Sequence, residues 1–183
     1  MTSIAVYCAS SDRIPAADLA LAAELGEAIA RRGHTLVTGG GSVSMMGAVG
    51  RAARAAGGHT VGVIPDALVA MEVADSESDE LVLVRTMRER KREMDDRADA
   101  FVVLPGGIGT LEEFFEVWTA AYLGMHAKPV VVLDPDGFYA PLWAWLEELE
   151  TRGFVRRFAL DTLLHARTVA DAVTAAETGH LPT

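Results

Sequence analysis

The chain has 183 residues, half of them hydrophobic, which suits one domain of ordinary size with a substantial core. Sixteen Lys and Arg stand against 26 Asp and Glu, a formal net charge of −10, which argues against a global basic face for nucleic acid. The single cysteine, Cys8, cannot close an intrachain disulfide, and no run reaches the roughly 18 apolar residues of a membrane span, so a soluble, cytoplasmic protein without a membrane partner is expected.

A strand is predicted over 4–8. A helix follows over 15–32: Leu19, Ala22, Leu25 and Ile29 recur at helical spacing, Pro15 suits the first turn, and Gly33 suits a C-terminal cap. Next come a strand over 35–38, a helix of small residues over 45–56 ended by Gly57-Gly58, a strand over 60–64 stopped by Pro65, and a strand over 81–84. A charged helix over 86–98 leads into a strand over 100–104, stopped by Pro105. A helix over 110–123, a strand over 129–133 and helices over 139–152 and 169–177 complete the series. Residues 74–80 (ADSESDE) read as an acidic surface loop. Short apolar strands alternating with helices predict an α/β, Rossmann-like fold, with a parallel sheet flanked by helices on both faces, in a single domain over 1–183. No internal repeat or linker interrupts it. Ligands of such sheets bind beyond the carboxyl ends of strands, so the loops after Cys8, Thr38 and Leu104 carry the functional information.

The loop after the central strand reads Pro105-Gly-Gly-Ile-Gly-Thr-Leu-Glu-Glu113 and runs straight into a helix. Gly106, Gly107 and Gly109 allow close backbone approach and positive φ, and the helix start supplies unpaired N–H groups and partial positive charge. That is a phosphate site, to which Thr110 adds a hydroxyl. The same residues also fit a capping box, with Thr110 as N-cap and Glu113 reaching back, although a cap needs no glycines. A second loop, from Gly39 through Gly40 and Gly41 to Gly47, is neither a P-loop nor the dinucleotide fingerprint: no Gly-Lys-Ser/Thr follows, and Ser44 stands where the third glycine belongs. It reads equally as a tight turn or as a second wall of a nucleotide pocket. The first loop, Cys8-Ala-Ser-Ser-Asp12, offers hydroxyls such as that of Ser10 at the same sheet edge.

Along the charged helix, Met87, Arg90, Lys91 and Met94 share a face. Methionines at that spacing place Arg90 and Lys91 at the edge of the core, whereas Arg88, Glu89, Arg92 and Glu93 read as a solvated face. The five histidines are scattered and no cluster has metal-ligand spacing, so no metal is expected. No Gly-x-Ser-x-Gly elbow is present, which argues against a serine hydrolase.

Two signatures together resemble a known family. Met87-x-x-Arg-Lys-x-x-Met94 and Pro105-Gly-Gly-x-Gly-Thr-x-x-Glu113 are similar to those of the Lonely Guy (LOG) phosphoribohydrolases, as are the loop over 39–47, Leu123-Gly-Met-His-Ala-Lys-Pro129 and Asp136-Gly-Phe-Tyr139. The resemblance spans nearly all of the chain from Ile4 to about Phe158. It implies a homodimer that needs no cofactor and hydrolyses the N-glycosidic bond of AMP or an N6-modified adenosine 5′-monophosphate. By motif matching it implies a catalytic pair of Arg90 and Glu113, with nucleotide contacts from Glu72, Lys91, Gly106, Gly107, Ile108, Gly109, Thr110, Leu111, Glu112 and Thr119. Three positions depart from the family pattern: Ser44 for glycine, Met45 for leucine and Ile108 for tyrosine. They bear on base specificity, and the Cβ of Ser44 bears on any positive φ there. Two other readings compete. One is a nucleotide carrier on the same fold, which could dispense with the acid. The other is a pyridoxal-phosphate decarboxylase, for which the only lysines, Lys91 and Lys128, lack a suitable setting.

Overall fold

A computed structural model describes residues 1–72 and 74–182, without the side chains of residues 70–72. Its seven strands are β1 (Ser3–Tyr7), β2 (Thr35–Thr38), β3 (Thr60–Pro65), β4 (Glu80–Val84), β5 (Ala100–Val103), β6 (Val130–Leu133) and β7 (Leu163–Ala166). Its helices are α1 (Ala16–Arg31), α2 (Ser44–Ala55), α3 (Asp66–Glu72), α4 (Met87–Arg97), α5 (Ile108–Tyr122), α6 (Ala140–Thr151), α7 (Arg157–Asp161) and α8 (Val169–Thr178). All strands pair in parallel in the order β4-β3-β2-β1-β5-β6-β7.

The unbroken apolar strands follow from burial on both faces. Side chains alternate across a strand. Ile4 and Val6 of β1, with Ala100 and Val102 of β5, join one core with α1, α2 and α8. Ala5 and Tyr7, with Phe101 and Val103, join the other with α4, α5 and α6. This is the expected Rossmann-like architecture with helices on both faces. The chain builds outward from β1 to β4, then returns to lay β5 on the other side of β1. The loops leaving β1 and β5 therefore diverge to opposite faces and leave a crevice between them.

Three elements escape the sequence periodicity. The helix α3 and the helix α7 span seven and five residues, too few to show an apolar stripe. The edge strand β7 is Leu-Leu-His-Ala, and its pairing with β6, not its own pattern, makes it a strand. Residues 74–80 also differ from a plain surface loop. Glu80 opens β4, and Asp75 is 6 % exposed, with its carboxylate held by both terminal nitrogens of Arg54 at 2.9 and 3.1 Å. The strong acidic bias of the segment hides this one inward-facing residue. Among the described residues no helix is long and apolar enough to cross a membrane.

Candidate active site

The crevice holds a cavity of about 590 Å³. Cys8, Ala9, Ser10 and Ser11 enter from the loop after β1, and Ile14, Pro15 and Asp18 from the start of α1. Met45 and Met46 come from α2, Met87 and Arg90 from α4, and Phe138 from the turn before α6. The floor is Pro105, the glycine loop, Thr110, Glu112 and Glu113.

The glycine loop works differently from the expectation of positive φ. None of Gly106, Gly107 and Gly109 is among the glycines with positive φ. Their use is missing volume. A Cβ on Gly106 would fall 2.1 Å from Thr110 Oγ1, while one on Gly107 or Gly109 would meet nothing within 4 Å. Two glycines thus border open space at a helix start, where any side chain would occupy the room a ligand needs. The first bond of α5 runs from Leu111 N to Gly107 O at 3.0 Å, so the amides of Ile108, Gly109 and Thr110 stand before it. Amides in that position carry the positive end of the helix dipole. Tyr139 secures the loop from behind, donating from its hydroxyl to Leu104 O at 2.8 Å. Asp134 in turn accepts from the Phe138 and Tyr139 amides at 2.7 and 2.9 Å, which accounts for the Asp-Gly-Phe-Tyr turn.

The capping-box reading of Thr110 and Glu113 is corrected. The N-cap is Gly107, without a side-chain cap, and Thr110 is a buried residue two positions inside the helix. The capping pattern occurs instead at α4, where Glu89 N donates to Thr86 Oγ1 at 3.1 Å and Glu89 Oε2 accepts from Arg85 N at 2.8 Å. Glu113 is released from that duty and meets Arg90, whose Nη1 lies 3.8 Å from Glu113 Oε1.

Arg90 is 5 % exposed. Its Nε donates to Val63 O at 3.1 Å and its Nη2 to Gly39 O at 2.9 Å. A Cβ on Gly39 would sit 1.7 Å from that Nη2, so this glycine makes room for the guanidinium. Buried arginine needs such acceptors, because a charge taken from water without them is costly. The thiol of Cys8 is pushed up to about 12 by burial and then by the negative field of Glu113, so it stays protonated and is no nucleophile at neutral pH.

Of the residues singled out in the sequence, Arg90, Glu113, Gly106, Gly107, Ile108, Gly109, Thr110, Glu112 and Ser10 meet at this cavity. Ile108 is 88 % exposed at its lip. Lys91 lies outside the lining, paired to Glu112 at 2.5 Å and to Glu116. Leu111 packs against the core, Thr119 faces a groove between α5 and α6, and Gly40 and Gly41 lie beside the lining rather than in it. The side chain of Glu72 lies outside the described residues. The sequence singles out Met45 for base specificity but not the apolar wall it forms with Ile14, Met46 and Phe138. Its residues are scattered through three segments, and only the fold assembles them. Lys128 donates to Asp95 O and Oδ1 at 2.6 and 2.7 Å, away from the cavity, so neither lysine is placed for a Schiff base there. Among the described residues no group of three or more His, Cys, Asp and Glu could hold a metal.

Ser44, where the resemblance leads one to expect glycine, has φ +55, a left-handed conformation, and its buried Oγ has no hydrogen-bond partner. A left-handed residue with a Cβ costs about 1–2 kcal/mol, and an unpaired buried hydroxyl about 1–3 kcal/mol. Both exceed the roughly 0.5–1 kcal/mol of chain entropy that glycine forfeits. Ser44→Gly is therefore expected to stabilise the protein by about 1 kcal/mol or more, raising Tm by roughly 2–4 °C in thermal unfolding. An unchanged or lowered Tm would show that the serine is not strained.

Known proteins match this chain along most of its length. A family model described as "Possible lysine decarboxylase" matches residues 46–176. The chain is 55% identical over 177 residues to a cytokinin riboside 5′-monophosphate phosphoribohydrolase of Mycobacterium marinum, covering 97% of this chain and 94% of that one. A protein of the same name from Mycobacterium tuberculosis is 56% identical, with 94% and 92% covered. The rice enzyme, cytokinin riboside 5′-monophosphate phosphoribohydrolase LOG, is 44% identical, with 93% and 70% covered. Among solved structures, the molybdenum cofactor binding protein of Rippkaea orientalis superposes with a TM-score of 0.72 at 22% identity, covering 97% and 96% of the two chains, a likeness of fold. With more than half its length matched by the family model and such identity to relatives along nearly its whole length, the chain belongs to the LOG family of phosphoribohydrolases, whose family model carries the description of a possible lysine decarboxylase.

Proposed function

We propose that this chain, as a single domain, hydrolyses the N-glycosidic bond of an adenosine 5′-monophosphate, plain or N6-modified, giving the free base and ribose 5-phosphate. The observation that carries the reading is the pairing of the buried Arg90 with Glu113 in a cavity whose floor is a glycine-lined helix start.

The chemistry follows from the charges. The 5′-phosphate is held by the amides of Ile108, Gly109 and Thr110 and the dipole of α5, a local positive site in a protein of net charge −10. As the bond between C1′ and the base nitrogen breaks, positive charge builds on the ribose. The Glu113 carboxylate stabilises it and orients the water that adds to C1′. The water's hydroxyl stays on C1′ and the electron pair leaves with the base, which takes up a proton. Arg90 holds the ribose phosphate and aligns Glu113 by charge-assisted contact. The apolar wall of Ile14, Met45, Met46 and Phe138 receives the base. Lys91 acts through Glu112, and Ser10 faces the ligand from the opposite loop. Glu72 is assigned to the ribose hydroxyls or the base by motif matching alone. Leu111 supports the helix start by packing, and Gly40 and Gly41 shape the seat of Arg90. Thr119 opens into a groove with Trp118, Tyr122, Trp145, Phe154 and Phe158, an exposed apolar face that we assign to a homodimer contact. A light-scattering mass of one chain would remove that part of the reading.

The test is chromatography of products from AMP, N6-isopentenyl-AMP and the matching nucleosides. Free base and ribose 5-phosphate are expected from the nucleotides, with the nucleosides at least about 100-fold poorer in kcat/KM, because they cannot engage the helix start. Binding of the nucleotides without base release would make the chain a carrier.

A further inference from the structure

The cluster formed by Arg54 and Asp75 lies outside the cavity, yet it grips the loop on which Arg90 rests. Asp75 N donates to Gly40 O at 2.8 Å, and Gly41 and Ala74 form an antiparallel bridge. The Asp75 carboxylate is fastened to α2 by the two-point contact from Arg54, whose side chain is 15 % exposed. Gly50 leaves the space: a Cβ there would lie 3.1 Å from Asp75 Oδ2. Asp75 also orders its own turn, accepting from Glu77 N through Oδ1 at 3.3 Å and from Ser78 N through its carbonyl at 3.1 Å.

The loop between β2 and α2 is thus held from two sides. On one, Gly40 O meets Asp75; on the other, the neighbouring Gly39 O receives Arg90 Nη2 at 2.9 Å. Three glycines in succession give this backbone little stiffness of its own. Its position must be set from outside, and among the described residues the cation of another element that meets Asp75 is Arg54, which also reaches Glu77 at 3.6 Å. A bidentate Arg–carboxylate pair is directional, so it transmits a position and not only an attraction.

We propose that Arg54 and Asp75 are positioning residues for the hydrolytic reaction: their ion pair fixes residues 39–41, and through Gly39 O it sets the Arg90 guanidinium against Glu113. The inference rests on the catalytic reading of Arg90. Arg54 and Asp75 do not line the cavity, and the α5 amides that hold the phosphate do not depend on them. A displaced Arg90 therefore costs its alignment of Glu113 more than its share of the phosphate, and kcat falls more than KM rises. The ion pair also anchors the chain three residues beyond the end of α3.

The experiment compares Arg54→Gln, Arg54→Lys and Asp75→Asn with wild type, well below each variant's Tm. Steady-state kinetics on AMP or N6-isopentenyl-AMP is paired with hydrogen exchange of the amides of residues 39–41. Expected are a fall in kcat of about 10-fold or more in Arg54→Gln and Asp75→Asn, KM within about threefold, faster exchange at 39–41, and partial recovery of kcat in Arg54→Lys. A purely structural pair would lower Tm and leave kcat of the folded enzyme unchanged. Folded variants with kcat within twofold of wild type, or unchanged exchange at 39–41, overturn the proposal. If Arg54→Gln does not fold, Arg54→Lys and Asp75→Asn decide by the same criteria. If wild type itself releases no base, the hydrolytic reading has failed, and the exchange measurement alone decides whether the ion pair holds the loop.

Discussion

Replacing Glu113 by Gln is expected to lower kcat for nucleotide hydrolysis by about three orders of magnitude, roughly 4 kcal/mol of transition-state stabilisation. The substitution keeps the shape of the side chain and removes its charge. A neutral amide loses the charge that stabilises the positive ribose, and its single acceptor oxygen orients the attacking water more weakly than a carboxylate does. KM should change far less, since the proposed phosphate contacts belong to the backbone amides of the α5 start and to Arg90, none of which the substitution removes. Folding should also change little. Arg90 keeps its bonds to Val63 O and Gly39 O, at 3.1 and 2.9 Å, and loses the 3.8 Å ion pair. Rates measured with saturating substrate, beside a thermal melt, separate these outcomes. A kcat within tenfold of wild type would remove Glu113 from the chemistry.

That Glu113 was a candidate at all shows what a sequence makes legible. Strand-long apolar runs and stop signals located most elements, because both faces of a parallel sheet are buried and leave an unmistakable pattern. The strand-to-helix passage at Pro105 likewise marks the helix start that we propose as the phosphate seat. The sequence alone also admits Thr110 as a cap, and only the helix start two residues earlier, at Ile108, decides against it. The function of the glycines was less legible. A glycine needed for positive φ and one needed for empty space are written with the same letter, and Gly107 and Gly109 are of the second kind. Gly39 was overlooked in favour of Gly40 and Gly41, because its reason is a guanidinium arriving from a helix 51 residues away in the chain. Asp75 was lost in an acidic run for the same cause: its partner Arg54 is 21 residues earlier, on α2. Local pattern reports the local rules. Long-range pairings, which hold the site in register, leave no period to read.

The other large effect is expected at Gly26, well outside the site. On helix propensity alone Gly26→Ala should stabilise α1 by about 1 kcal/mol. The packing decides otherwise. A Cβ at this position would lie 2.1 Å from Val49 O and 3.0 Å from Val49 C, backbone atoms of α2 that no rotamer change can move aside. The two helices must separate, and overpacking of this kind costs about 1–3 kcal/mol and sometimes more. Because even the smallest side chain meets a rigid helix, the upper end of that range applies. The net loss is then about 2 kcal/mol, a fall in Tm of roughly 4–8 °C. The displacement also reaches the cavity, since α2 carries Met45 and Met46 on its wall and Arg54 on its far end. Gly26→Ala should therefore raise KM for the nucleotide in the molecules that remain folded, whereas Ser44→Gly at the start of α2 should raise Tm. A melt of Gly26→Ala at or above the wild-type Tm would show that α1 and α2 separate at little cost, and that their close contact is not what places the methionine wall.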